Sequence, residues 1–110
     1  MLEKYSEEKL NKIVFDYISK LKGKINIEKV ILYGSYANGN ATELSDIDLL
    51  IISNDLCEST PKGKNGFYLD NLAGAFDPSL EVIGINPKQL RDPVEQGFFD
   101  EILKTGKQLM

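Results

Sequence analysis

Lys29-Val30-Ile31-Leu32-Tyr33-Gly34-Ser35 and, after ten intervening residues, Asp46-Ile47-Asp48-Leu49-Leu50-Ile51-Ile52 decide how this chain folds. The run Lys29–Tyr33 is apolar and ends at a glycine, the pattern of a buried strand that stops in a turn. The second run opens with two carboxylates one residue apart and stays apolar through Ile52. Successive strand side chains point to opposite faces, so Asp46 and Asp48 project together and share their face with Leu50 and Ile52. Two like charges ~4 Å apart repel by about 4 kcal/mol at an effective dielectric of about 20. Such a pair beside apolar neighbours calls for a cation. Magnesium is the expected ion, because it takes hard oxygen ligands and is commonly held by one or two carboxylates plus substrate phosphates. Gly34 lets the chain turn and lets a phosphate approach the backbone with no side chain in the way. Tyr36 to Thr42 should begin with a short helix whose amino end is at Ser35, where unpaired N–H groups and a small hydroxyl can meet phosphate oxygens.

The flanking segments supply a scaffold. Leu10, Ile13, Val14, Tyr17, Ile18 and Leu21 recur at three-and-four spacing, which predicts an amphipathic helix packed on the core. Ser6 is placed to cap it, Tyr5 to pack on Leu10 as a hydrophobic staple, and Gly23 to stop it. Ser53 to Gly66 is polar and loop-like; its Lys62 and Lys64 could reach a triphosphate or an acceptor, but the expected reading is a solvated mobile loop with no chemical role. Phe67 to Phe76 reads as a helix interrupted by Gly74. Leu80-Glu81-Val82-Ile83-Gly84-Ile85 reads as an apolar strand holding one acid, and a buried charge without a partner is costly, so Glu81 demands an explanation. A turn or short helix at Pro87–Leu90 should lead to a helix from about Val94 to Lys104 with Phe98, Ile102 and Phe99 as its apolar contacts. Gly106 ends that helix, and Gln108-Leu109-Met110 form a terminal strand. The expected class is therefore α+β, a small mixed sheet packed against helices in two layers.

Composition narrows the function. A chain of 110 residues is read as one domain, residues 1–110, with no internal repeat or linker. Its 13 basic and 17 acidic residues give a net charge of −4, which argues against a domain that grips a long nucleic-acid backbone. A mononucleotide arriving with its own magnesium needs no basic face. No histidine and a single cysteine, Cys57, nearly exclude zinc chemistry and point to a reducing compartment. The charged amino terminus without a sustained apolar run, and the lack of any stretch of about twenty apolar residues, lead to the expectation of a cytoplasmic protein without membrane association.

Gly34-Ser35-Tyr36-Ala37-Asn38-Gly39 followed by Ser45-Asp46-Ile47-Asp48-Leu49-Leu50-Ile51 resembles the signature of the polymerase-beta-type nucleotidyltransferases, and more narrowly the minimal nucleotidyltransferases (MNT). The family pattern often carries an arginine after the serine or before the second glycine, where this chain has Tyr36 and Asn38. The resemblance implies a nucleotidyltransferase fold, ATP as substrate and about two magnesium ions held by Asp46, Asp48 and a third acid on a later strand. Glu81 is the match for that third acid, ahead of Asp70 and Asp77, and is the expected general base. Gly34 and Ser35 are implied to hold the outer phosphates. Minimal nucleotidyltransferases often pair with a small helical HEPN protein, and in such type VII-like pairs the nucleotidyltransferase is the antitoxin and can transfer AMP to a tyrosine of the toxin. A homodimer or hetero-oligomer is compatible with this. Two other readings stand beside it: a non-catalytic module that neutralises a partner by covering it, and a homodimeric enzyme that modifies a small molecule of the aminoglycoside type.

Overall fold

The computed structural model describes residues 5–42, 45–56, 79–91 and 96–109. Helix α1 spans Glu7–Lys22, followed by strand β1, Lys29–Tyr33, the single-turn helix α2, Ser35–Asn38, and strand β2, Ile47–Ile52. Strand β3, Leu80–Ile85, a short 3-10 helix, Pro87–Arg91, helix α3, Gln96–Thr105, and the two-residue strand β4, Lys107–Gln108, complete it. The strands form one mixed sheet in the order β3-β2-β1-β4, with β2 antiparallel to β1 and parallel to β3, and β4 antiparallel to β1.

Alternation along the strands builds two cores. Val30, Leu32, Ile47, Leu49, Ile51, Leu80 and Val82 pack with Leu10, Val14, Tyr17, Ile18 and Leu21 of α1. The intervening residues Ile31, Leu50, Ile52, Ile83 and Ile85 pack with Phe99 and Ile102 of α3 on the opposite face. Ser6 caps α1 by accepting the Lys9 N–H at 3.2 Å. Gly23 does end α1, but in a right-handed conformation (φ −74°), so the stop does not use the left-handed freedom of glycine. Of the three apolar contacts expected of helix α3, Phe99 and Ile102 are buried, whereas Phe98 is 51% exposed, its ring tilted on that of Phe99 at 5.5 Å. Both pairs, 98 with 102 and 99 with 102, lie at helical same-face spacing, so the sequence alone did not choose between them. The terminal strand begins one residue earlier than expected, with Lys107 opposite Leu32 and Gln108 opposite Ile31. Cys57, the segment with Lys62 and Lys64, the expected helix Phe67–Phe76, the rival acids Asp70 and Asp77, Val94 and Met110 lie outside the described residues. Among the described residues no helix is long and apolar enough to cross a membrane.

Candidate active site

Register brings the sequence-predicted groups to one end of the sheet. Asp48 is opposite Tyr33, the last residue of β1, and beside Glu81, the second residue of β3. Tyr33, Asp48 and Glu81 thus form a row across three strands, on the face that carries Leu50 and Ile83 further along. Asp46 lies just before β2 rather than within it, next to a turn in which Ser45 Oγ accepts the Thr42 N–H at 2.8 Å and Thr42 O accepts the Ser45 N–H at 3.1 Å. Gly34 follows Tyr33 directly, with φ 76° and ψ −153°, a conformation that L side chains rarely adopt. A Cβ at Gly34 would overlap the Asp48 Oδ2 and lie 3.2 Å from its Cγ. The glycine turn and the carboxylate are therefore in direct apposition, and glycine is required there on two counts.

The electrostatics single out Asp48. It is half-buried, whereas Asp46 and Glu81 are exposed. Its carboxyl is pushed up from 3.8 to about 6, first by burial, then by the charges of Glu81 and Asp46, and also by a hydrogen bond with Glu81. The exposure of Glu81 corrects one expectation: it is not a buried charge in search of a partner. An edge-strand acid reaches water, and its significance lies in its place beside Asp48. The ion pair found among the described residues, Lys12–Asp16 at 3.0 Å, lies on α1 and brings no cation to these acids.

Asp48 and Glu81, paired in register, and Asp46, two residues before Asp48, offer the hard oxygen donors that magnesium prefers. The donor set fits the ion in chemical type. Among the described residues no group of three His, Cys, Asp or Glu side chains is gathered as a metal site. An open set completed by substrate phosphate oxygens and water is how magnesium is usually held. In α2, Gly34 O accepts the N–H groups of Ala37 and Asn38 at 3.1 and 3.0 Å, and Ser35 stands at the amino end, as the sequence predicted. Tyr33 was missed as a neighbour of Asp48, because cross-strand register is not written in either strand alone. Two clefts, of about 550 and 370 Å³, lie against α1; the first is lined in part by Phe15, Ile18 and Leu109, the second by Tyr36, Gly39 and Lys107, and neither includes the acids.

A mixed sheet carrying a Gly-Ser turn against an Asp-x-Asp strand is the framework of a nucleotidyltransferase domain. The chain belongs to the family described as Polymerase beta, Nucleotidyltransferase, whose sequence profile matches residues 16–110. A Methanocaldococcus jannaschii relative, named "Putative protein adenylyltransferase MJ1305", is 44% identical over 52 residues, 46% of this chain and 35% of the relative. The match thus spans about a third of that curated relative's length. One solved structure, described as a tri-AMPylated Shewanella oneidensis HEPN toxin in complex with MNT antitoxin, is similar with a TM-score of 0.60 at 20% identity, covering 92% of this chain and 71% of that one. Another, described as a toxin-antitoxin with AMP-PNP, gives a TM-score of 0.62 at 22% identity over 91% of this chain and 72% of that one. At these identities the likeness is one of fold.

Proposed function

We propose that this chain is a magnesium-dependent nucleotidyltransferase that moves AMP from ATP to a protein hydroxyl. The acceptor proposed is a tyrosine of a small helical HEPN-type toxin, with this chain acting in the cytoplasm as its antitoxin in a type VII-like pair. The observation that carries the reading is the apposition of Gly34 to Asp48, with Glu81 in register on the next strand. It sets the surface that a phosphate can approach directly against the acids that suit its metal. The protein adenylyltransferase name of the M. jannaschii relative and the AMPylated toxin in the S. oneidensis complex support the choice of AMP and of a protein acceptor.

Asp46, Asp48 and Glu81 are the residues that would hold the metal, with two ions expected. Bound there, magnesium would supply charge stabilisation at the attacked α-phosphate and the departing pyrophosphate. The chain's own part is positioning and proton handling. Gly34 lets the turn lie against Asp48, so that β- and γ-phosphates held at the turn sit beside the acids, and Ser35 offers them its hydroxyl. The acceptor hydroxyl oxygen bonds to the α-phosphorus as the bond from that phosphorus to the α–β bridging oxygen breaks. Pyrophosphate leaves with the electron pair. Glu81, exposed and thus open to an incoming acceptor, takes the hydroxyl proton as general base.

Incubation with ATP, magnesium and a cognate HEPN-type protein, followed by intact-mass measurement, tests the reading. AMP-sized additions to the partner are expected. A partner that is bound and neutralised yet keeps its mass would sink it and favour neutralisation by covering. Pyrophosphate release that depends only on a small-molecule alcohol would favour the aminoglycoside-type alternative.

A further inference from the structure

The helical turn that presents Ser35 has little of its own to hold its shape. Four residues are far below the length at which a helix stands alone. The turn is also flanked by Gly34 and Gly39, at φ 76° and 80°, neither of which has a Cβ to restrict it. Its conformation must come from tertiary contacts. Asn38 is exposed and Ala37 offers a single methyl to the α1-backed core. Tyr36 packs against the same core and ties the turn to the segment before α1. Its ring stacks on Tyr5 at 6.4 Å and 22°, and its hydroxyl accepts the Tyr5 backbone N–H at 3.1 Å.

Tyr5 is itself tied at several points. It precedes the Ser6 cap of α1, and the Lys9 ammonium lies over its ring at 5.1 Å. Its hydroxyl lies 3.4 Å from Ser79 Oγ, and Ser79 O accepts the Ile47 N–H at 2.7 Å. Ile47 sits between Asp46 and Asp48, and Ser79 is two residues before Glu81. A continuous set of contacts therefore runs from the Ser35 turn through Tyr36, Tyr5 and Ser79 to the start of both acid-bearing strands. It connects the two halves of the candidate site. At the position where the family resemblance leads one to expect arginine, this chain has placed a structural anchor.

We infer that Tyr36 and Tyr5 are positioning residues for nucleotide binding, fixing the Gly34–Ser35 turn relative to the acids; the inference rests on the nucleotidyltransferase reading. Tyr36 acts through Ser35 and Gly34, and Tyr5 acts through Tyr36. The strap has a distinct signature: its loss loosens the turn and weakens phosphate binding, while the acids and the general base stay in place.

Titration with magnesium and an ATP analogue that cannot be cleaved between the α- and β-phosphates tests this in the full chain, with Asp48→Asn as reference. Tyr36→Phe keeps the ring and removes the acceptor, and should weaken binding by roughly threefold to tenfold. In transfer assays KM for ATP should rise by a similar factor while kcat stays within about twofold. Amide exchange over residues 34–39 should quicken without nucleotide present. Tyr5→Ala keeps the backbone N–H but removes the ring stack and the Ser79 contact, so it should weaken binding comparably, and the double variant, which loses both kinds of contact, should bind more weakly than either single one. Should Tyr5→Ala fail to fold, Tyr36→Phe carries the test. If wild type binds the analogue and Tyr36→Phe binds it equally with unchanged exchange, the positioning role is overturned and the enzymatic reading stands. If wild type binds no nucleotide, both fall.

Discussion

The two ends of strands β2 and β3 treat polar groups in opposite ways. Just past their carboxyl ends, Ser53 and Asn86 are buried, and both are satisfied. The Ser53 hydroxyl donates to Asn26 O, while Asn86 Nδ2 donates to Leu56 O at 3.1 Å and its Oδ1 accepts the Lys88 N–H at 2.9 Å. At the amino ends, Asp46, Asp48 and Glu81 gather like charges around a half-buried carboxyl. One end is closed by hydrogen bonds within the chain. The other keeps an electrostatic conflict that a ligand can relieve. Between them runs an apolar stretch, Leu49 to Ile52, that shields each end from the other. The difference teaches where to look for function: buried polar groups with full complements of partners hold the fold, and poorly compensated ones await a substrate.

The sharpest way to separate the ends is Asp48→Asn. It should reduce transfer by a factor on the order of 10² to 10³, the scale seen when one preorganised electrostatic group is lost. The metal-free Tm should hold or rise, since like-charge repulsion is relieved. A variant with full magnesium-dependent transfer would break the assignment of the acid end.

Gly34→Ala comes next. The new Cβ meets the Asp48 carboxylate and the backbone is at positive φ, so stability should fall by about 1–3 kcal/mol. Nucleotide affinity should fall with it, as measured by titration at a temperature where the variant is folded. Equal binding and an unchanged Tm would show that the turn is not held against Asp48.

At the closed end, Asn86→Ala strands the Leu56 carbonyl and the Lys88 N–H, and should cost roughly 1–3 kcal/mol by denaturant titration. Transfer per folded molecule should be unchanged. A selective loss of activity would erase the contrast between the ends.

The smallest effect is the pH dependence of the metal-free protein. Asp48 rises from 3.8 to about 6 on folding, so the folded state holds the proton more tightly. Its contribution is full below pH 3.8 and is lost as pH climbs through about 6, so this group destabilises the fold at neutral pH. Comparing Tm across pH 4 to 7 for wild type and Asp48→Asn isolates it: the wild type should lose more on going to neutral pH. Parallel curves would contradict the raised carboxyl.

Much of this was legible in the sequence because local pattern and strong chemistry coincide there. The Lys29–Tyr33 and Leu80–Ile85 strands stand out as apolar runs, and α1 as a clean helical stripe ended by Ser6 and Gly23. The Gly-Ser turn and paired acids could be placed from spacing. What was illegible depended on register or on distant pairing. Glu81 was singled out by the family resemblance and by a burial that it does not have, and the contact that matters, its place beside Asp48, arises only when β3 aligns parallel to β2. Tyr33 joins the acid row by the antiparallel register of β1. Tyr5 packs against the cluster that contains Leu10, but it also stacks on Tyr36, 31 residues away, and no periodicity links those two. That α3 buries Phe99 and leaves Phe98 exposed is decided by the sheet face it meets.

The most direct test of the central claim uses ATP labelled separately at its α- and γ-phosphates, with magnesium and a HEPN-type acceptor protein. Nucleotidyl transfer by the Asp46, Asp48 and Glu81 site predicts that α-label stays on the acceptor, that γ-label leaves in pyrophosphate, and that Asp48→Asn slows the labelling by a factor on the order of 10² to 10³. Acceptor labelling from the γ-position, or α-labelling that survives Asp48→Asn undiminished, would contradict it.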